Sequence, residues 1–407
     1  MPTHDDEIFE VGQRLSVEIE KVAHGGHFIA RRAGRVFFVR HALPGEEVEI
    51  EITSVGSSFL RADAISVHTP SPDRVIPPCI YSRAGGCGGC DFQHVSENKQ
   101  RELKADVIRE QFARIAKMEV DVIVEKVGHP LHWRTRVAGA TNAKGEIGFY
   151  AFRTHRVVPV SDCVISATAI GFANLAKKTW PINSRIEIAS CADGSRTVAI
   201  GPAIRGSRVR ITEGAKVLKE KIDGIVLEVS QESFWQSHEE APRILSEAIT
   251  PYIQAGDHVL DLYGGVGLFT AAVLGIIGDE GSVDLIEASK SATSDARRNF
   301  SSFPNVRVQQ GDVKREIQKI SGADVVILDP PREGAGREVL QAVTDFAPRS
   351  IVYVACDPAS LARDAAFLEE FGYRMRSVRA FDLFPMTHHI ECVAHFDASQ
   401  KGSINVS

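Results

Sequence analysis

The fold class expected from the sequence is multidomain α/β. An N-terminal OB-like β-barrel (residues 8–70) precedes a central α+β module (71–238) and an open, doubly wound α/β domain (239–399). Three observations predict this. Residues 11–68 alternate polar and apolar with glycine-bearing breaks, the period of half-buried strands. From about residue 239, apolar strand-like runs alternate with helix-like spacers, the mark of a mostly parallel sheet. The length, 407 residues, is too great for one ordinary domain.

Composition narrows the function classes. Apolar content of 43% and charged content of 25% are ordinary for a globular chain. No apolar run approaches the ~18 residues of a membrane-spanning helix, and the acidic start "MPTHDDEIFEVGQ" lacks the basic and apolar parts of a signal peptide. A cytoplasmic protein without a membrane partner is expected. Seven cysteines in such a compartment point to metal or catalytic roles rather than disulfides. Net charge is −6, but residues 129–220 carry 14 Lys/Arg against 6 Asp/Glu, and residues 241–407 carry −6. A basic middle beside an acidic remainder fits a groove for a polyanion on one part only.

In the barrel, "QRLSVEIEKV", "HFIARRAGRVFFVR", "EEVEIEITSV" and "FLRADAISV" read as about five short strands separated by "AHGGH", "RAGR" and "LPGE". Arg31, Arg32, Arg35 and Arg40 lie among Phe28, Phe37 and Phe38, a mixture suited to RNA. "HTPSPDRVIPPC" reads as a linker, and residues 97–118 as an amphipathic helix. Residues 120–232 mix strands with glycine turns.

In the last domain, "HVLDLYG", "SVDLIEAS", "NVRVQQGD", "ADVVILDPP" and "SIVYVACDP" are five strand-like runs. Asp261, the glycine loop with Gly264, Gly265 and Gly267, Glu287, Asp312 and Asp329 all fall at strand C-termini, the ligand-binding edge of such sheets. The loop reads D-x-Y-G-G-x-G rather than the dinucleotide pattern G-x-G-x-x-G. It resembles the cofactor loop of the class I S-adenosylmethionine methyltransferases, which have a Rossmann-like fold.

Cys356 follows the fifth run. From that run alone it is equally a packed core cysteine or a thiol presented at a helix start, and Asp357 opposes any thiolate there. Glu391 lies in the alternating segment "THHIECVAHF", where a carboxylate is costly unless paired, used or turned outward. Cys79, Cys87 and Cys90 have the spacing C-x7-C-x2-C among four glycines, and Cys163 is available as a fourth thiolate. That set suits either zinc or an iron–sulfur cluster, and spacing alone does not choose.

"SFWQSH" (233–238), "LDPPREGAG", "YVACDPASLARD" and "DLFPMTHHIECV" (382–393) together resemble the RNA uracil-C5 methyltransferase family, and do so in family order across nearly the whole chain. The resemblance implies a TRAM domain at residues 11–68, and a 4Fe-4S cluster on Cys79, Cys87, Cys90 and Cys163. It further implies Cys356 as nucleophile and Glu391 as general base, with Gln236, Tyr263, Glu287 and Asp329 at S-adenosylmethionine or the active site. Gly265 and Asp312, on the same edge, complete the expected cofactor contacts. The product would be 5-methyluridine, in ribosomal rather than transfer RNA, made by a monomer. His238 stands where many members have asparagine, and Leu268 where some have a polar residue. Two other readings stay open: a methyltransferase for another base such as cytosine C5, and a non-catalytic iron–sulfur RNA-binding protein.

Overall fold

The computed structural model describes residues 7–204 and 207–398; residue 399, the expected end of the last domain, lies outside them. The barrel is one sheet of six strands, not about five, in the order Arg14–Glu18, Glu47–Val55, Phe59–Thr69, Arg35–Arg40, His27–Arg32, Lys21–Ala23. Period two shows in its burial: Val48, Ile50 and Ile52 point inward, while Glu47, Glu49 and Glu51 do not. Phe28 and Phe37 are fully buried, so they serve the core and not RNA.

Three of the barrel arginines expected to face RNA are engaged on the barrel itself. Arg31 pairs with Glu20, Arg32 with Glu7, and Arg35 donates to the Gly56 carbonyl. The two carboxylates sit in the N-terminal segment (Glu7) and between the first two strands (Glu20), within reach of a long side chain. Arg40 is buried and lies 3.8 Å over the Phe152 ring. The proline-rich linker is also pinned. Arg74 donates to the buried Glu46 (2.6 and 2.7 Å) and to the His41 carbonyl (2.8 Å).

The helix predicted over 97–118 is α-helical over Glu97–Gln111, continues as one wider turn over Phe112–Ala116, and stops at Lys117 in the left-handed region. It is a wedge between two cores. Leu103 packs with the barrel, whereas Ala105, Ile108 and Phe112 pack with the C-terminal sheet. Its buried Lys104 donates to Asp382 (2.6 Å) and to the Phe384 carbonyl (3.1 Å), a pair whose single-sided loss would cost about 3–5 kcal/mol.

The central module is a six-stranded antiparallel sheet between Arg136 and Gly214. The last domain is an eight-stranded sheet in the order Val306–Gln310, Ser282–Glu287, His258–Leu262, Val325–Leu328, Ser350–Ala355, Glu391–Ala398, Tyr373–Asp382, Val124–Lys126. The first five, the predicted runs, are parallel; Glu391–Ala398 is antiparallel to both its neighbours. Two features reach upstream of residue 239. Val124–Lys126 supplies the last strand, and Ile222, Leu227, Val229 and Trp235 enter the sheet's core. No helix among the described residues is long and apolar enough to cross a membrane.

Candidate active site

The chain order of the parallel strands reverses between His258–Leu262 and Val325–Leu328, which opens a crevice at their C-terminal ends. Asp261 and the loop after it flank one side, and Asp329 the other. In that loop Tyr263 has φ 62° and Gly267 φ 100°, both in the left-handed region. A Cβ on Gly267 would lie 2.1 Å from the Phe300 ring, so this position admits no side chain. Strain at the non-glycine Tyr263 is held by its surroundings, as at many binding sites.

Gln236, Tyr263, Gly265 and Asp329 line one small cavity, together with Phe234, Trp235 and Leu268. Glu287 stands behind it. Its Oε2 accepts from Gly265 N–H (3.0 Å) and its Oε1 from Ser289 N–H (2.5 Å), so it holds the glycine loop in place. Asp312 begins the short helix Val313–Glu316 and is not part of the cavity lining; its charge opposes ionisation of Tyr263. Asp261 is fully buried and accepts from Thr270 N–H (3.1 Å) and Oγ1 (2.7 Å) through Oδ2, while its Oδ1 has no partner. Leu268 gives this cavity an apolar wall. His238 stacks on Trp133 with its rings 5.5 Å apart.

Burial dominates the electrostatics. It pushes the Asp261 carboxyl up to about 6 and the Asp329 carboxyl up to about 7, the latter also opposed by Asp261 and Glu287. Asp261, Glu287 and Asp329 together form an acidic edge, in which Asp261 and Glu287 are held by hydrogen bonds and Asp329 is the more strongly raised of the two shifted carboxyls.

One strand further, Cys356 leaves the end of Ser350–Ala355. Ala355 pairs with Cys392, so the next step of the register sets Cys356 opposite Glu391. Glu391 is only 4% exposed and lies on a strand flanked on both sides, which removes the solvent-facing reading of this carboxylate. Its neighbour Cys392 packs in the core. Burial pushes the Cys356 thiol up to about 12; Glu391 adds to that, Arg332 opposes it, and Asp329 and Asp357 add again. Burial likewise raises Glu391 well above the usual carboxylate range, with Asp329 adding and Arg332 opposing.

Cys356 opens into a cleft of about 390 Å³. The barrel supplies His24, Gly26, Phe38 and Arg61; the central module supplies Phe152 and Arg153; Arg332, His388 and His389 come from the large sheet's side. Arg61 lies over Phe59 (5.0 Å) and Phe38 (5.9 Å), and Arg153 over Phe152 (5.4 Å). Sequence reasoning missed His24, Phe152, Arg153 and the histidine pair, because they meet only through contacts distant in sequence. The basic–aromatic stretch "AFRTHR" (151–156) was the one signal available.

The four cysteines expected to bind a cluster line a second cavity, with Phe149, Val160, Val164 and Ile165. All are free thiols. Burial pushes Cys87 up to about 11 and raises Cys90 and Cys163, and the sulfurs reinforce one another. Among the described residues, no three such side chains are close enough to share one metal ion. The half-buried Arg134 lies near Cys163 and Cys90. The cysteine loop also braces the cleft. Gly88 N–H donates to the Tyr150 carbonyl (3.0 Å), and a Cβ there would meet Phe152 N at 2.7 Å. Just beyond, Asp91 accepts from His388 Nδ1 (2.6 Å).

Known proteins share this architecture. The TRAM domain family matches residues 9–65, and the family described as tRNA (Uracil-5-)-methyltransferase matches residues 208–398. An "Uncharacterized RNA methyltransferase" of Streptomyces coelicolor is 39% identical over 96% of this chain and 94% of its own. One of Caldanaerobacter subterraneus is 30% identical over 95% and 98%. The solved structure of Pyrococcus abyssi tRNA (uracil-54, C5)-methyltransferase, in complex with S-adenosyl-L-homocysteine, superposes with a TM-score of 0.73 at 21% identity, covering 93% of this chain and 99% of that one. That likeness establishes the fold.

Proposed function

This chain belongs to the tRNA (uracil-5-)-methyltransferase family, and on that premise we propose that it transfers a methyl group from S-adenosylmethionine to C5 of a uridine in ribosomal RNA, in the cytoplasm and as a monomer. The observation that carries the reading is the register that sets Cys356 opposite Glu391, between an acidic cofactor edge and a cationic, aromatic cleft. The barrel and the cysteine cluster incline the target to ribosomal RNA. Transfer RNA is the second reading, favoured by the names of the matched family and of the Pyrococcus protein. Deleting the gene and mapping 5-methyluridine in each RNA by mass spectrometry decides between them. Loss of 5-methylcytidine instead, or of no methylated base, would overturn the reading.

Uracil C5 is a weak nucleophile. Addition of the Cys356 thiolate to C6 turns the ring into an enolate with an electron-rich C5. Bound S-adenosylmethionine would supply an electrophilic methyl and a positive charge at the edge formed by Gln236, Tyr263, Gly265, Glu287 and Asp329. C5 takes the methyl, Glu391 takes the C5 proton, and the electron pair left behind expels the sulfur from C6. In the free protein burial favours the neutral forms of both the thiol and the Glu391 carboxyl. A cation beside Asp329 and the guanidinium of Arg332 both favour the ionised forms, against the mutual repulsion of thiolate and carboxylate.

The cleft mouth is read as the RNA path, with phosphates toward Arg61 and Arg153 and bases against Phe38 and Phe152. Arg153→Ala should weaken binding of bulk RNA and lower the slope of log affinity against log salt by about one. An unchanged slope in filter binding would remove Arg153 from that path.

Cys79, Cys87, Cys90 and Cys163 fit a 4Fe-4S cluster. The four line one cavity as free thiols, a donor set open to zinc as well, and the family resemblance of their sequence pattern favours the cluster. The role read here is structural, since the cysteine loop packs against the backbone at Tyr150–Phe152 and leads into Asp91. Protein purified without oxygen should hold about four iron and four sulfide per chain, with a broad visible absorption. One zinc and no sulfide would sink the assignment.

A further inference from the structure

The barrel reaches the residue that follows the proposed nucleophile. Its loop Ala23–His27 lines the cleft that holds Cys356. His24 Nε2 lies 3.0 Å from Oδ2 of Asp357, the residue after Cys356. The other oxygen of Asp357, Oδ1, accepts from Ala359 N–H (3.0 Å) and Ser360 N–H (2.9 Å), and so caps the helix Pro358–Glu370. Both oxygens of this carboxylate are therefore assigned, one to the helix and one to the barrel.

The loop is clamped from its other side as well. Gly26 has φ 77°, and a Cβ on it would lie 2.9 Å from both Asp91 Cγ and His388 Nδ1. Asp91 and His388 are themselves bonded at 2.6 Å. Glu391, Arg332, Asp329 and Asp357 all act on the Cys356 thiol. Only Asp357 among them is held by a residue of the barrel.

We propose that His24 is a positioning residue for Cys356. By bonding Asp357 it turns that carboxylate's free oxygen away from the thiol and fixes the first turn of the helix behind it. The barrel thereby completes the active site as well as gripping RNA. The inference rests on Cys356 being the nucleophile.

The test uses the full-length protein and two readouts. The first is methylation of bulk RNA from a strain lacking the gene. His24→Ala should lower kcat about tenfold while KM for RNA stays within about twofold, because positioning is lost rather than grip. His24→Gln, whose amide N–H can still donate to Asp357, should recover most of the rate. The second is alkylation of Cys356 by iodoacetamide in the free protein, followed on that peptide by mass spectrometry across pH. An unpaired Asp357 carboxylate disfavours the thiolate, so His24→Ala should slow alkylation at a given pH. Asp357→Asn, which keeps the cap, should speed it, and adding His24→Ala to Asp357→Asn should change nothing further.

A rise in KM at unchanged kcat, or His24 and Asp357 effects that simply add, overturns the proposal. If Cys356→Ala is inactive while His24→Ala behaves as wild type, this inference alone fails. If Cys356→Ala still methylates RNA, the methyltransferase reading of Cys356 fails with it.

Discussion

Cys356→Ala is expected to abolish methyl transfer, with a loss on the order of 10⁶ in kcat, the scale seen when a covalent nucleophile is removed. No nearby group replaces it. Cys392 points into the core and is fully buried, and the remaining cysteines lie in the central module. The loss will not come from unfolding. Cys356 is half-buried at a cleft, so replacing its sulfur with hydrogen leaves no closed cavity. Thermal unfolding of the variant should match the wild type, and its affinity for RNA should survive. Measured with labelled methyl donor and bulk RNA, residual activity within a hundredfold of wild type would exclude a covalent route through this sulfur.

Glu391→Gln should behave differently, with a slower step and a trapped intermediate. Loss of a positioned general base costs about 10²–10⁴ in rate. Addition and methyl transfer precede that step, so the variant should collect a protein–RNA adduct that survives denaturing electrophoresis. Cys356→Ala should form none, and the double variant none. Absence of an adduct together with normal turnover would reassign the base.

The same substitution carries a stability signature. Glu391 and Asp329 have carboxyls raised by burial above their unfolded values. The native state then holds protons that the unfolded chain has released, so stability is full at low pH and falls as pH rises past the ordinary carboxylate range. For Asp329 the fall runs on to about 7. The amide introduced by Glu391→Gln has no such proton to lose. In the absence of cofactor, the variant's melting temperature should overtake that of the wild type as pH increases, and a gap independent of pH would refute the buried-proton account.

Much of this site was legible in the chain itself. Strand C-termini are where a doubly wound sheet presents its ligand-binding groups, and that rule placed Asp261, Glu287, Asp312 and Asp329 at one edge, of which Asp312 stays outside the cavity lining, while the role of Cys356 came from the family resemblance. Glu391 was legible as an expensive residue within an apolar segment. The sequence shows the barrel's arginines as bare charges, but not the carboxylates of Glu20 and Glu7, outside the strands, that engage Arg31 and Arg32. Arg40 was misplaced likewise, since its partner ring, Phe152, arrives from another module.

The sequence by itself determined the order of domains, the period-two barrel, the parallel strands and the residue types at their ends, because these follow from local periodicity and from one rule about open sheets. Tertiary structure alone decided which groups face one another. It set Cys356 against Glu391 through an antiparallel register, placed His24 of the barrel on Asp357, and led the cysteine loop to the wall of the cleft. Such contacts join residues tens to hundreds of positions apart, and no local pattern encodes them. They depend on how the apolar faces of barrel, helix and sheet are buried together.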